Sequence, residues 1–278
     1  VRTDRPTGRA EGVTEQGERV MDDQAAENVV DFCLHAEPLG QSGVGVVAPF
    51  DFALDRELWR WAPDDVSLHM TRLPFVPIPV TVEMASFLSE GGSVRRATRD
   101  LLAVEPLAVA YACASGSFIH GVQGEARLRQ DILDAGAPAA ATTSGALVSA
   151  LDLLGTRRIA VVTPYVDNVT ERLLAFLAES GVETVSSVGL GLLNHIWKVT
   201  YSEVVRAIQE VDRPEAEAVY ISCTNVQTYD IIAPLERMLG KPVLTANQVT
   251  MWGALRTTGR QPMGTGQWLV EATDRTAA

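Results

Sequence analysis

The sequence predicts a duplicated α/β fold: two Rossmann-like parallel-sheet domains related by a pseudo-twofold axis, with a cleft between them. Two repeats carry this expectation. Gly43-Val44-Gly45-Val46-Val47-Ala48-Pro49 is an apolar strand ending in proline, and Arg158-Ile159-Ala160-Val161-Val162-Thr163-Pro164 is its counterpart. Val109-Ala110-Tyr111-Ala112-Cys113 and Val219-Tyr220-Ile221-Ser222-Cys223 are two more apolar strands, each reaching its cysteine at a similar interval after its proline. A third observation joins them: helical and strand-like stretches alternate between these landmarks, the pattern of parallel sheets covered by helices. The expected boundaries are a polar extension over 1–40, a first domain over 41–143 completed by 255–278, and a second over 144–254.

Residues 1–27 are charged and polar, the composition of a mobile arm. Cys33 follows in a short apolar patch and reads as structural. After the first strand, Leu54, Leu58 and Trp61 share one helical face. Val66 to Leu73 reads as a strand, and Pro74, Pro77 and Pro79 as an extended loop. Helices are expected over 81–90 and 93–103, with Gly91-Gly92 as the break. Leu107 to Cys113 is the next strand, 123–136 a helix, and Ala139 to Thr143 a strand end leading into a helix over 145–154 capped by Ser144. In the second unit, Asp167 caps a helix over 168–180, Val182 to Leu190 is a strand, and Ser202 caps a helix over 203–211. Ala218 to Cys223 is a strand and Tyr229 to Leu239 a helix stopped by Gly240. Pro242 to Ala246 is the last strand, with a helix from Asn247 through Leu255.

Bulk composition narrows the partners. A net charge of −12 disfavours nucleic acid and anionic membranes, and 46% apolar with 21% charged residues describes a well-packed globular chain. Three cysteines without disulfide or zinc spacing fit reduced thiols and a cytoplasmic setting. His120 and His195 lack partners at ligand spacing, so no metal is expected. Gly189-Leu190-Gly191 lacks the strand-to-helix phosphate motif, so no nucleotide or other cofactor is expected.

The chemistry is expected at the paired cysteines. Each passes from a strand into a small polar turn where a helix can start, a setting of N–H donors that lowers a thiol pKa. If the halves face each other, Cys113 and Cys223 meet across one cleft. Two thiols there suit a racemase or epimerase working by acid and base on opposite faces of a carbon acid. They also suit an isomerase that adds one thiolate to an alkene. A non-catalytic carboxylate binder would keep the cleft without either reaction.

The segments Cys113-Ala114-Ser115-Gly116-Ser117, Val162-Thr163-Pro164-Tyr165, Ser222-Cys223-Thr224-Asn225 and Gly240-Lys241-Pro242-Val243-Leu244-Thr245-Ala246-Asn247-Gln248 are specific when taken together. They resemble the aspartate/glutamate racemase superfamily, most closely its maleate cis-trans isomerase branch, over residues 43–258. The resemblance implies a cofactor-independent isomerase of a small unsaturated carboxylate such as maleate, and a homodimer. It implies that Cys113 adds to the alkene while Cys223 gives or takes a proton, that Tyr165 and Asn194 contact substrate, and that Ser115, Ser117, Thr143, Thr224 and Asn225 supply hydrogen bonds at helix starts. Arylmalonate decarboxylases share the superfamily but keep one cysteine, at the second position, with glycine at the first. The chain departs from its branch at Pro49-Phe50-Asp51-Phe52, where relatives carry Ser-Ser-Asn; by counting, Phe52 replaces the asparagine and Asp51 would repel a second carboxylate. Ala114 likewise stands where relatives often have threonine.

Overall fold

The two strand–proline segments become the second strands of two sheets with the same topology. The structure is a computed structural model describing residues 41–277, so the 1–40 extension and Cys33 lie outside the described residues. One sheet holds β1 (Ser42–Ala48), β2 (Val66–Arg72), β3 (Ala108–Tyr111) and β4 (Ala140–Thr142) in the order β2-β1-β3-β4. The other holds β5 (Arg158–Thr163), β6 (Glu183–Gly189), β7 (Ala218–Ile221) and β8 (Val243–Thr245) in the order β6-β5-β7-β8. Every pairing is parallel, with Val47 opposite Tyr111 in one sheet and Val162 opposite Ile221 in the other. The inner strands β3 and β7 are wholly buried, which explains their continuous apolar sequence.

In the first half come α1 (Asp55–Leu58), α2 (Val82–Leu88), α3 (Gly91–Leu101), α4 (Ala114–Phe118), α5 (Gly121–Asp134) and α6 (Thr143–Leu154). Gly91 and Gly92 are not a break but the first turn of α3, because Glu90 takes the extended N-cap conformation. The second half adds α7 (Asp167–Glu179), α8 (Tyr201–Val211), α9 (Tyr229–Leu239), α10 (Ala246–Thr257) and α11 (Trp268–Ala277). Three caps fall one or two residues before the expected positions. Thr142 accepts from the Gly145 N–H at the start of α6, in place of Ser144. Thr200 forms a full capping box with Glu203 on α8, in place of Ser202. Val166, with no side-chain cap bond, precedes α7 and leaves Asp167 in the first turn.

The helix after the last strand of the second half crosses to the first. α10 packs on β3 and β4 of the first sheet and lies against α6, while its start stays beside β8 of the second. Their contact is a close one: a Cβ on Gly253 would sit 2.6 Å from that of Ala146. Thr143 and Thr250 join hydroxyls across it at 2.7 Å. α11 is tied back by Glu236, which accepts the Val243 and Trp268 N–H groups. The described residues 41–277 form one compact unit. Among the described residues no helix is long and apolar enough to cross a membrane.

Candidate active site

Cys113 and Cys223 leave equivalent strands but take different conformations. Cys113 is extended, with φ −144° and ψ 110°, and caps α4; its Sγ accepts the Gly116 N–H at 3.4 Å and lies 3.7 Å from the Ser115 Oγ. The chain can turn this tightly because residue 116 is glycine: a Cβ there would lie 2.2 Å from the Tyr111 hydroxyl. Cys223 has φ +85°, a left-handed conformation rare for a side-chain-bearing residue. That strain costs on the order of 1–3 kcal/mol and concentrates at functional positions. Its Sγ accepts the Asn225 N–H at 3.4 Å, and no helix starts until Tyr229. The expected helix start therefore exists at Cys113 and not at Cys223.

The expected lowering of the thiol pKa values is also corrected. Burial pushes Cys113 up to about 11 against the hydrogen bonds from Gly116 and Ser115. Burial pushes Cys223 up to about 12 against those from Asn225 and Tyr165. Two sulfur contacts at 3.4 Å replace too little hydration to hold a thiolate, so both groups rest as thiols. Each has a tyrosine beside it. Tyr111 shares the face of β3 that leads to Cys113 and donates to the Leu88 carbonyl at 2.8 Å. Tyr165 accepts from the Ser222 hydroxyl at 3.5 Å, and its ring meets Phe118 edge-on at 6.0 Å. Tyr111 was legible in the sequence, since residues two apart on a strand share a face.

One cavity touches both cysteines. Its walls include Asp51, Ala114, Ser115, Tyr165, Thr224 and Asn225, with Val80, Met84, Leu88 and Ile196 as an apolar side. The apolar wall has no signal in the sequence, because any core side chain would read the same. Its volume is about 20 Å³, room for roughly one water. Val80 N–H donates to the Leu193 carbonyl at 2.8 Å, joining the loops from the two halves that supply Val80 and Ile196. A larger hollow of about 610 Å³ among α5, α6, α7 and α10 contains neither cysteine. The smaller cavity is the candidate site, because it brings both thiols together with an acid that no cation lining it neutralises.

Other expected contacts fall elsewhere. Phe52 is buried with Val46, Leu58 and Trp61, away from the cleft it was expected to line. Asn194 is exposed on the loop after β6 and does not line the cavity; Ile196 does. Thr224 gives its hydroxyl to the Ala112 carbonyl. The Asn225 amide holds the 49–53 loop, accepting from Ala53 N–H at 2.9 Å and donating to the Asp51 carbonyl at 3.1 Å. Ser117 and Thr143 are also struts, bonded to Ala114 and Tyr111 carbonyls. Among the described residues no cluster of His, Cys, Asp and Glu could hold a metal.

The family model of arylmalonate decarboxylase matches residues 80–269, a span holding both cysteines. The chain belongs to the arylmalonate decarboxylase family. The arylmalonate decarboxylase of Bordetella bronchiseptica is 33% identical over 149 residues, covering 51% of this chain and 61% of that protein. The maleate isomerase of Pseudomonas putida is 30% identical over 164 residues, covering 56% and 66%. The matched stretches thus span under two thirds of either relative's length. The maleate isomerase of Nocardia farcinica matches more broadly, at 25% over 236 residues and 90% of its length. Among solved structures, a liganded double mutant of arylmalonate decarboxylase superposes with a TM-score of 0.75 at 28% identity, covering 83% of this chain and 99% of the other. The family thus unites decarboxylase and maleate isomerase relatives, in keeping with the branch that the cysteine segments resemble.

Proposed function

We propose that this protein is a cofactor-independent cis-trans isomerase of a small unsaturated carboxylate, with Cys113 as nucleophile. The observation that carries the reading is the meeting of two thiols in unequal settings in one cavity. A racemase needs two groups that trade acid and base roles, whereas an extended helix-capping thiol and a left-handed one suit different tasks. In the proposed cycle Cys113 first gives its thiol proton to solvent, the thiolate adds to one alkene carbon, and the π pair moves toward the conjugated carbonyl. Cys223 gives its proton to the neighbouring carbon and takes it back. Rotation about the new single bond and expulsion of the thiolate complete the isomerisation, with no net change in protons. The Nocardia farcinica maleate cis-trans isomerase, which shares this fold at a TM-score of 0.76, has been captured with a covalently bound succinylcysteine intermediate, which supports the covalent route.

At about 20 Å³ the cavity must widen to admit a four-carbon acid. A second reading, decarboxylation of a malonate, is favoured by the Bordetella bronchiseptica relative. One experiment separates them: a panel of cis-enoates and phenylmalonate followed by NMR, with mass spectrometry of Cys223→Ala for an adduct on Cys113. The expected result is trans product, an adduct, and loss of turnover in Cys113→Ala. Wild-type rates in Cys113→Ala would end the covalent reading. Carbon dioxide release from phenylmalonate without enoate turnover would establish the second.

A further inference from the structure

Asp51 is a carboxylic acid built into the two-thiol cavity, and neither cysteine accounts for it. It follows β1 and Pro49, and both halves of the Asn225 amide fasten the backbone around it. The loop is thereby fixed in place. Among the described residues no lysine, arginine or histidine pairs with its carboxyl group, which meets only its own backbone N–H, and none lines the cavity. Burial raises its proton affinity, and its charge acts on both Cys113 and Cys223. An ionised second carboxylate entering this space would face an unneutralised acid where little water screens the repulsion.

We propose that Asp51 sets specificity, selecting an unsaturated carboxylate whose other end is a carboxamide rather than a second carboxylate. This rests on the isomerase reading above. The carboxamide is chosen by two demands acting together. Its NH₂ group presents donors to the acceptor oxygens of Asp51. Its carbonyl, conjugated to the alkene, still accepts the electron pair released when Cys113 adds. An ammonium or hydroxyl on saturated carbon meets the first demand and not the second. A second carboxylate meets the second and is repelled under the first.

The test separates specificity from turnover by using saturated, unreactive analogues. Calorimetry would measure succinamate and succinate binding to the wild type, Asp51→Asn and Asp51→Ser, with melting curves to show that each variant folds. The wild type is expected to bind succinamate at least tenfold more tightly, and both variants to lose or invert that preference. Equal or tighter succinate binding by the wild type, no binding of either analogue, or a preference that survives both substitutions would overturn the assignment. NMR turnover of maleamate and maleate tests the parent reading separately. If neither reacts while the binding preference holds, the isomerase reading fails and the role of Asp51 stands.

Discussion

Removing the Asn225 side chain should unfasten the loop that carries Asp51, and the cost can be worked from its contacts. Asn225 is 3% exposed and makes two bonds between the halves, to Ala53 N–H at 2.9 Å and the Asp51 carbonyl at 3.1 Å. Each bond contributes about 1 kcal/mol net, and the two backbone groups, only part-buried, can turn to water once the amide is gone. Asn225→Ala should therefore destabilise by about 1–2 kcal/mol. For a body of this size each kcal/mol lowers the melting temperature by about 2–4 °C, giving a drop of about 2–8 °C. Asn225→Asp keeps the acceptor for Ala53, loses the donor to Asp51, and adds a second acid beside the first. Its defect should be largest above the pKa of the introduced carboxyl and ease as pH falls through it. Calorimetry across pH 4 to 8 reads both variants. A change below about 0.5 kcal/mol in Asn225→Ala would show that the clamp contributes nothing and that the loop is held elsewhere.

Three further outcomes follow from the packing and the ionisation. With Cys113 near 11, about one molecule in a thousand is thiolate at pH 8, so iodoacetamide labelling followed by peptide mass spectrometry should climb through pH 10; a plateau below pH 9 would contradict the resting thiol. Burial lifts Glu236 from 4.5 to about 7, so the folded state holds a proton that the unfolded chain releases. Its stabilising effect is full below about pH 4.5 and is lost as pH rises through 7, at up to about 1.4 kcal/mol per pH unit. Urea unfolding of Glu236→Gln should show a flatter dependence, and an unchanged slope would clear Glu236 of the effect. Gly253→Ala should cost about 1–3 kcal/mol by prising α10 from α6, and Ala146→Gly in the same chain should restore most of it. A stabilised Gly253→Ala would mean that the helices yield freely.

Much of this protein was legible before any coordinates. Parallel strands buried on both faces must be continuously apolar, so the strand–proline and strand–cysteine segments announced their own places, and their repetition announced the second sheet. The pairing of Cys113 with Cys223 followed, because ligands gather beyond the carboxyl ends of such strands. Side-chain direction did not follow. By counting along Pro49-Phe50-Asp51-Phe52, Phe52 stood at the polar position, but its area is worth more in the core with Trp61, and that turns Asp51 toward the thiols. Asn225 read as a ligand for substrate, and only the approach of the 49–53 loop from the other half made it a clamp. The C-terminal segment was expected to complete the first domain, but the seating of α10 on α6 was not legible, because its fit depends on Ala146 and Gly253, two small residues distant in sequence. The thiol pKa values went the same way: a motif shows the N–H donors beside a cysteine, but desolvation is set by everything that closes over it. Local pattern thus determined the sheets and the two cysteines, while burial, which is a property of the assembled chain, decided their protonation and what stands opposite them.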